Sequence, residues 1–308
     1  MRERPVLQGL GSVLAIIGLG LLLTTASEGL GAQRNRQELW PEQRPIGGPG
    51  AWDAAPEIEH LRHLLRYRYT EEGDVLFWKM PRFFRDEPAL KALAGRAREH
   101  KVLVLDLRGD PGSPEDALRL TGGSRTHDEG FMPTSWDLPR STQILKFMTG
   151  SLFEQDVAIG RVIRRSKTEE IVAKSRGRES FGGELFVLVD SGTASDAEVL
   201  ARIIQLKGRG KIIGDTSAGS GMKSMCNPLL QDCSGLAYGV CIADAKVIMA
   251  DGKSLEGVGI TPDVLVLPTA GDLAAGRDPV LARAVALAGV ELDPAVAGQM
   301  FPPEWAPF

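Results

Sequence analysis

The sequence predicts an α/β fold in which crossover helices connect a largely parallel sheet. Short apolar runs without polar alternation are typical of strands that are covered on both faces. Such runs occupy residues 75–80, 102–107, 185–189 and 211–214. Helical patterns at 88–100 and 196–207 follow the first and third of these runs. Strand, helix and strand in succession imply right-handed crossovers, and therefore parallel neighbouring strands.

Length and charge narrow the classes of function. A chain of 308 residues can bury a large core in one or two domains. The net charge of −4 comes with no clustered basic face, which excludes a nucleic-acid-binding role. The basic residues within 161–167 are interpreted as the solvated side of a helix.

The first 32 residues are interpreted as a secretory signal peptide. Arg2 and Arg4 precede an uncharged run over 5–27, and small residues close the segment at Ala26 or Ala32. The alternative is a retained anchor, because the uncharged run could span a bilayer and would associate the protein with a membrane. Under either interpretation the rest of the chain is exported, to the periplasm or the extracellular space.

The remaining chain divides by composition and periodicity. Residues 33–73 are predicted to be a linker with one short amphipathic helix at 57–69, and 74–289 form the main domain. Within that domain, 113–180 are a variable insertion that is helical over 141–174. The further predicted elements are one or two strands at 238–249, a helix at 280–288 capped by Asp278, and a tail at 290–308.

Three cysteines, Cys226, Cys233 and Cys241, would lie in an oxidising compartment. Pairing of Cys226 with Cys233 would close a small loop and leave Cys241 on a strand, but an odd number of cysteines fixes no assignment. Their spacing and the lack of a nearby histidine predict no metal site. None of the three is a convincing nucleophile.

Ser195 is the candidate for chemistry. A buried strand ends at Val189, a short turn containing Gly192 follows, and a helix begins directly after Ser195. A hydroxyl at a helix N-terminus lies beside N–H groups that can receive a developing oxyanion, as acyl transfer requires. The alternative is structural, because Ser195 and Glu198 also form a capping-box pattern.

Five segments form an ordered series of motifs across 74–289. They are 103–112 (LVLDLRGDPG), 192–198 (GTASDAE), 208–219 (GRGKIIGDTSAG), 251–263 (DGKSLEGVGITPD) and 277–281 (RDPVL). In this order they resemble the tail-specific, or C-terminal processing, serine protease family. Single matches are weak, but five matches in the family's order are specific.

The resemblance implies a crotonase or Clp-protease-like α/β fold with Ser195 as the nucleophile. It also implies an oxyanion hole made by the backbone N–H groups of Gly112 and Asp196. We interpret Asp106 and Arg108 as structural residues at the end of a strand. A tight turn is the alternative role for Gly112.

Two features of the family are missing. The family's usual catalytic lysine falls at position 220, which is Ser220 here. A peptide-binding PDZ insert is also missing, because too few residues separate the linker from Val75. These departures leave the general base unassigned, and a serine without a base is a poor nucleophile at neutral pH.

The sequence offers several candidates for the base and its support. Glu256 matches a glutamate that supports a Ser–His system in another branch of the family. The nitrogen bases are His60, His63, His127 and Lys223, and Lys223 lies three residues beyond the expected lysine. For each of the four, a surface or capping role is the alternative.

Three functions follow, in decreasing order of support. The first is an exported serine endopeptidase that cleaves peptides or unfolded protein tails without a cofactor. The second is a catalytically inactive relative that binds extended peptides in the cell envelope. The third is acyl chemistry on a small thioester, which the lack of a glycine-rich phosphate loop disfavours. The sequence leaves the oligomeric state open.

Overall fold

The computed structural model describes residues 67–81, 83, 87–112, 140–229 and 238–301. All of them belong to one compact unit, Glu42–Glu304. The strands are β1 (Arg68–Glu72), β2 (Val75–Lys79), β3 (Val102–Asp106), β4 (Val157–Arg164), β5 (Thr168–Ala173), β6 (Glu184–Val189), β7 (Lys211–Gly214), β8 (Met222–Leu229), β9 (Tyr238–Met249) and β10 (Val264–Leu265). The helices are α1 (Glu87–Ala97), α2 (Arg140–Leu152), α3 (Asp196–Leu206), α4 (Ala270–Ala274), α5 (Pro279–Leu287) and α6 (Pro294–Met300).

The main sheet has the strand order β1-β2-β3-β6-β7-β10. Every neighbouring pair in it is parallel except β1 and β2, which form an antiparallel hairpin. Helix α1 connects β2 to β3, and α3 connects β6 to β7, so both serve as crossovers between adjacent parallel strands. The predicted α/β class with a largely parallel sheet is therefore confirmed.

Both faces of the main sheet are covered, as the apolar runs predicted. One face packs against α5 and α6 through buried residues that include Phe77, Val104, Leu188, Val285 and Ala297. Alternate residues of the same strands point to the opposite face. These are also buried, and α1 and α3 contact β2 and β7. The carboxyl ends of β3 and β6 lie side by side, because the two strands pair directly.

A second, antiparallel sheet has the order β5-β4-β9-β8. Strand β4 alternates buried and exposed residues, so one face of this sheet is buried and the other is open to solvent. Strand β8 lies at its edge and begins only eight residues after β7 ends. A short segment of the chain therefore connects the carboxyl end of β7, in the main sheet, to β8 in the second sheet.

Three sequence-based boundaries need correction. The helical prediction for 141–174 is wrong beyond Leu152, since β4 and β5 form an antiparallel pair there. The predicted helix at 57–69 lies mostly outside the described residues, and its last two positions belong to β1. The sheet therefore starts before residue 74. The tail at 290–308 contains α6, whose Ala297 is buried in the core.

The region 238–249 is a single strand, β9, and α5 begins after an Asp278 side chain that accepts the N–H of Leu281. No helix in the described part of the chain is both long and apolar enough to span a membrane. The proposed signal segment, residues 1–32, lies outside the described residues, as does the part of the predicted insertion from 113 to 139.

Candidate active site

The turn that carries Ser195 is tied to the turn that follows β3. The Asp190 carboxylate accepts the N–H groups of Gly109 at 2.8 Å and Gly192 at 3.0 Å. The Thr193 hydroxyl donates to the carbonyl of Leu107 at 3.0 Å. These bonds join the carboxyl ends of β3 and β6, where open α/β sheets place their ligands.

Ser195 has a strained backbone. Its φ of 56° and ψ of −124° make it the one non-glycine residue with positive φ in the described part of the chain. Such a conformation costs about 1–3 kcal/mol and persists only where surrounding contacts enforce it. Here the Ser195 N–H donates to the Ser220 carbonyl and to the Glu198 carboxylate, each at 3.1 Å.

The Glu198 carboxylate organises the segment that faces Ser195. It is fully buried and accepts hydrogen bonds from four neutral donors. These are the Ser217 hydroxyl at 2.5 Å and the backbone N–H groups of Gly219 at 2.7 Å, Ser220 at 2.9 Å and Ser195 at 3.1 Å. Burial raises the pKa of Glu198, and the four donors oppose that rise.

Glu198 therefore does more than cap α3. The Ser195 hydroxyl faces the N–H of Glu198 as in a capping box, but it falls short of a capping hydrogen bond. The glutamate instead connects the helix to residues 217–220. The motif segment at 251–263, called the late glycine segment below, holds those residues from the other side, since the Gly257 N–H donates to the Gly219 carbonyl at 2.8 Å.

Gly112 lies directly against Ser195. A Cβ atom at Gly112 would be 2.6 Å from the Ser195 Cβ and 3.1 Å from its Oγ, and the φ of Gly112 is +91°. Only glycine fits both the space and the conformation. Its N–H donates to Asp110 Oδ1 at 2.8 Å, so this amide stabilises the turn that contains both residues. The N–H of Asp196 is in the first turn of α3, where an amide has no acceptor within the helix.

A buried ion pair adjoins the nucleophile candidate. The Lys223 ammonium donates to Asp196 Oδ1, and both side chains are buried. Asp196 Oδ2 has no hydrogen-bond partner among the described residues. The positive end of the α3 dipole also favours the Asp196 carboxylate. Lys223 is thus near Ser195, but its charge is engaged by the neighbouring aspartate.

Glu256 is exposed, and it contacts β8, the strand that carries Lys223. Its Oε2 atom accepts the N–H of Met222 at 2.9 Å, one residue before Lys223. This contact supports the start of β8. His60, His63 and His127 lie outside the described residues. The one described histidine, His100, precedes β3 and is therefore at the opposite end of the sheet from Ser195.

Asp106 and Arg108 form a separate network beneath the site. The Arg108 guanidinium binds Asp106 at 2.8 Å and Asp278, the N-cap of α5, at 2.6 Å. Lys79 lies 3.2 Å from Asp106. Burial opposes the charged form of Asp106, yet these two cations hold its pKa well below the ordinary value. The network anchors β2, β3 and α5, which is the structural role expected for Asp106 and Arg108.

The family model of Peptidase family S41 matches residues 79–266, which include both turns and the late glycine segment. The chain belongs to peptidase family S41. This match confirms the resemblance to the tail-specific, or C-terminal processing, proteases.

Individual relatives agree with this family. The chain is 25% identical over 225 residues to the carboxy-terminal-processing protease of Bartonella bacilliformis, covering 70% of this chain and 44% of that protein. It is 32% identical over 134 residues to the chloroplastic C-terminal processing peptidase of Tetradesmus obliquus, covering 39% and 28%. The chain thus spans less than half the length of these curated relatives.

A solved structure supports the fold alone. A Parabacteroides merdae protein described as a candidate peptidase superposes with a TM-score of 0.53 at 16% identity. The match covers 72% of this chain and 64% of that chain. The matched part of the chain therefore shares the fold of that protein.

Within the S41 frame, the structure brings Ser195, Gly112, Asp196 and Lys223 together, and Glu256, in the loop between β9 and β10, contacts Met222 at the start of β8. Sequence reasoning overlooked two contacts. The S-x-x-E spacing of Ser195 and Glu198 pointed to a cap, although the glutamate reaches residues 217–220. The Asp196–Lys223 pair had no local signal, because 27 positions separate the two residues. The described residues contain no group of three or more metal-binding side chains.

Proposed function

We propose that this S41 domain is an exported serine-type endopeptidase with Ser195 as its nucleophile. Its substrates would be extended peptides or the C-terminal tails of unfolded proteins, as the names of the curated relatives suggest. No cofactor is required for this chemistry. The observation that carries the proposal is the strained backbone of Ser195 at the start of α3.

The strain is meaningful because an ordinary N-cap does not require it. A capping serine adopts an extended backbone, whereas Ser195 has a positive φ. A strained turn from a strand into a helix is also how other hydrolase folds expose a nucleophilic serine. Three hydrogen bonds maintain this conformation without using the Ser195 hydroxyl: the Ser195 N–H donates to Glu198 and to the Ser220 carbonyl, and the Ser220 N–H donates to Glu198.

Two groups have to change partners before catalysis. The Gly112 N–H donates to Asp110, so the Asp110 carboxylate must release it for an oxyanion. An ammonium has no lone pair with which to accept a proton, so Lys223 can act as the base only after it leaves Asp196 and passes one proton to solvent. Our proposal is that a bound peptide carbonyl induces both exchanges, with Glu256 keeping Met222 and the start of β8 in place.

A fluorophosphonate probe tests the nucleophile. The full chain, purified from the compartment to which it is exported, should be labelled at Ser195, and Ser195→Ala should abolish that labelling. The matched control is Ser191→Ala, an exposed serine in the same turn, which should label like the native chain. Absence of labelling in folded native protein would refute a reactive Ser195.

A second variant tests the base. Ser220→Lys restores the family's lysine at a residue whose carbonyl already contacts the Ser195 N–H. We expect it to increase the labelling rate at least about tenfold, which is below the roughly 10²–10⁴-fold contribution of a well-positioned general base. Lys223→Met should lower the native rate if Lys223 is the working base. An unchanged rate in Lys223→Met would remove that role.

Ser220 itself favours a second candidate function. A relative without the usual lysine can bind extended peptides without cleaving them, and the Asp196–Lys223 ion pair suits such an inactive site. Fluorescence anisotropy with a labelled unfolded peptide distinguishes the two functions. The binding protein would retain the intact peptide in both the native chain and Ser195→Ala, and neither would yield products.

A further inference from the structure

Ser217 lies in the segment between β7 and β8, and its hydroxyl both donates and accepts a hydrogen bond. It donates to Glu198 Oε1 at 2.5 Å and accepts the N–H of Ile260 at 2.8 Å. The Ser217 N–H also donates to the Ile260 carbonyl at 3.2 Å. Because Ser217 is only 7% exposed, solvent has little access to replace these bonds. The Ser217 side chain therefore joins the late glycine segment to Glu198.

These contacts fix the direction of the Ser217 hydroxyl proton. A backbone N–H can only donate, so the Ile260 amide meets an oxygen lone pair and the hydroxyl proton is directed to Glu198. A hydroxyl bound to an ionised carboxylate makes a short, strong hydrogen bond. Burial raises the pKa of Glu198, and among the donors that oppose this rise the Ser217 hydroxyl has the largest effect. Ser217 thus helps to keep both oxygens of Glu198 as acceptors.

The two oxygens of the Glu198 carboxylate hold different groups. Oε1 accepts from the Ser217 hydroxyl and the Gly219 N–H, whereas Oε2 accepts from the N–H groups of Ser195 and Ser220. A carboxylate is planar, so a contact that fixes the direction of Oε1 also fixes that of Oε2. We propose that Ser217 is a positioning residue, whose hydroxyl orients Glu198 and thereby holds the strained backbone of Ser195. This role rests on the proposed function, in which Ser195 is the nucleophile.

Gly259 allows the late glycine segment to approach Ser217. Its φ is +71°, and a Cβ atom there would be 2.5 Å from the Ser217 carbonyl oxygen and 3.1 Å from Ser217 Oγ. Any larger residue at this position would displace Ser217 and would also strain its own backbone. The glycine therefore lets the neighbouring Ile260 N–H reach the Ser217 hydroxyl.

The kinetics of labelling with a peptidyl fluorophosphonate test the positioning role. Ser217→Ala should lower the maximal labelling rate at least about tenfold, because small displacements of a reacting group are costly, and should leave the probe's half-saturating concentration unchanged. If the native chain is labelled and Ser217→Ala is labelled at the native rate, the inference is overturned while the proposed function stands.

Ser175→Ala is the matched control for the loss of a bonded hydroxyl. The Ser175 hydroxyl likewise donates to one backbone group, the Phe153 carbonyl, and accepts from another, the Gly177 N–H, each at 2.8 Å. Ser175 lies in the segment that leads into the amino end of β6, whereas Ser195 follows the carboxyl end of that strand. The control should therefore be labelled at the native rate.

A double-mutant cycle tests whether Ser217 acts through Glu198. If it does, adding Ser217→Ala to Glu198→Gln should slow labelling by no more than about a further twofold, because residues of one hydrogen-bonded network are not additive. Full multiplication of the two single effects would show that Ser217 acts by another route, which would overturn the inference.

Amide hydrogen exchange measured by NMR requires no reactivity, so it separates this inference from the proposed function. In Ser217→Ala the N–H groups of Ser195 and Ser220 should exchange at least about tenfold faster relative to the core amides of β6, since exchange reports local opening. In Ser175→Ala they should exchange as in the native chain. Native exchange of both amides in Ser217→Ala would overturn the hold on Ser195. Faster exchange in a chain that is never labelled would support that hold and refute the proposed function.

Discussion

Asp106 and Glu198 are both fully buried carboxylates at the carboxyl edge of the same sheet, but their neighbours differ. Asp106 lies between the cations Arg108 and Lys79, whereas Glu198 accepts hydrogen bonds from neutral donors. At Asp106 burial opposes ionisation, but the two cations outweigh it and lower the pKa. At Glu198 burial is the largest cause, and it raises the pKa. Cations make a carboxylate a stable anchor, while neutral donors let it hold backbone amides in place beside a nucleophile.

The largest effect should come from breaking the Asp106 network. We expect Arg108→Met to lower the free energy of unfolding by about 3–5 kcal/mol, because it leaves the buried Asp106 and the partly buried Asp278 without their shared cation. Urea denaturation measures this loss. Arg202→Met is the matched control, since Arg202 pairs with Asp251 near the surface and should contribute about 1 kcal/mol or less. Equal losses in both variants would contradict the anchoring role.

The surroundings of Asp196 are intermediate between those of Asp106 and Glu198. Asp196 contacts one cation, and its second carboxylate oxygen has no partner in the part of the chain that the structure describes. Lys223→Met should lower the free energy of unfolding by about 2–3 kcal/mol, since the helix dipole offsets part of the lost attraction. Adding Asp196→Asn should recover most of the loss in a double-mutant cycle.

Lys246→Met, at an exposed position of β9, provides the control for that cycle and should change stability by about 0.5 kcal/mol or less. Simple additivity of Lys223→Met and Asp196→Asn would show that the two buried groups are not energetically coupled.

Glu198→Gln should cost about 1–3 kcal/mol in urea denaturation, because one side of the amide presents a donor where the carboxylate accepted two N–H groups. Labelling of Ser195 by fluorophosphonate should also slow, since the Ser195 backbone loses one of its two restraints. Glu170→Gln, exposed on β5, should change neither quantity measurably. If Glu198→Gln has native stability and a native rate of Ser195 labelling, then Glu198 serves only as a capping residue.

The smallest effect is the pH dependence, and its sign distinguishes the two carboxylates. A raised folded pKa means that Glu198 takes up a proton more readily in the folded chain, so its contribution is present below its unfolded pKa of about 4.3 and is lost as pH rises through the folded value. A lowered folded pKa gives Asp106 the reverse dependence, with a contribution present above about pH 3.9 and lost as pH falls.

Unfolding free energies measured from about pH 3 to pH 7 therefore test the comparison. The stability gap between the native chain and Glu198→Gln should widen as pH falls, and the gap to Asp106→Asn should narrow. Neither slope should exceed about 1.4 kcal/mol per pH unit, the limit for one proton. Gaps that change in the same direction would show that the neighbours do not set opposite pKa shifts.

Sequence reasoning succeeded where a pattern is local. The strands at β2, β3, β6 and β7 were predicted because each is a short apolar run between breaks, and α5 because Asp278 and Pro279 start it. It failed at 153–174, where a run of mixed charged and apolar residues was assigned to a helix. The alternation within β4 and β5 becomes informative only once their antiparallel pairing is known.

For the candidate site, too, some features were predictable from the sequence and others were not. The position of Ser195 between a strand and a helix followed from the local sequence pattern, and its closeness to the turn at Gly112 was implied by the family resemblance. The partners of Lys223, Glu256 and Gly112 did not, because each was assigned a catalytic role from its place in the sequence. In the structure their polar groups contact Asp196, Met222 and Asp110.

By itself, the sequence determined the alternating element types, the strand-to-helix turn at Ser195 and the capped helix α5, since short-range periodicity and turn chemistry specify them. Only the tertiary structure decided that Glu198 would bind the 217–220 segment, that Lys223 would pair with Asp196, and that Cys226 would oppose Cys241. These choices depend on strand order and register. Both are set by how distant segments pack together, which no single segment of the chain encodes.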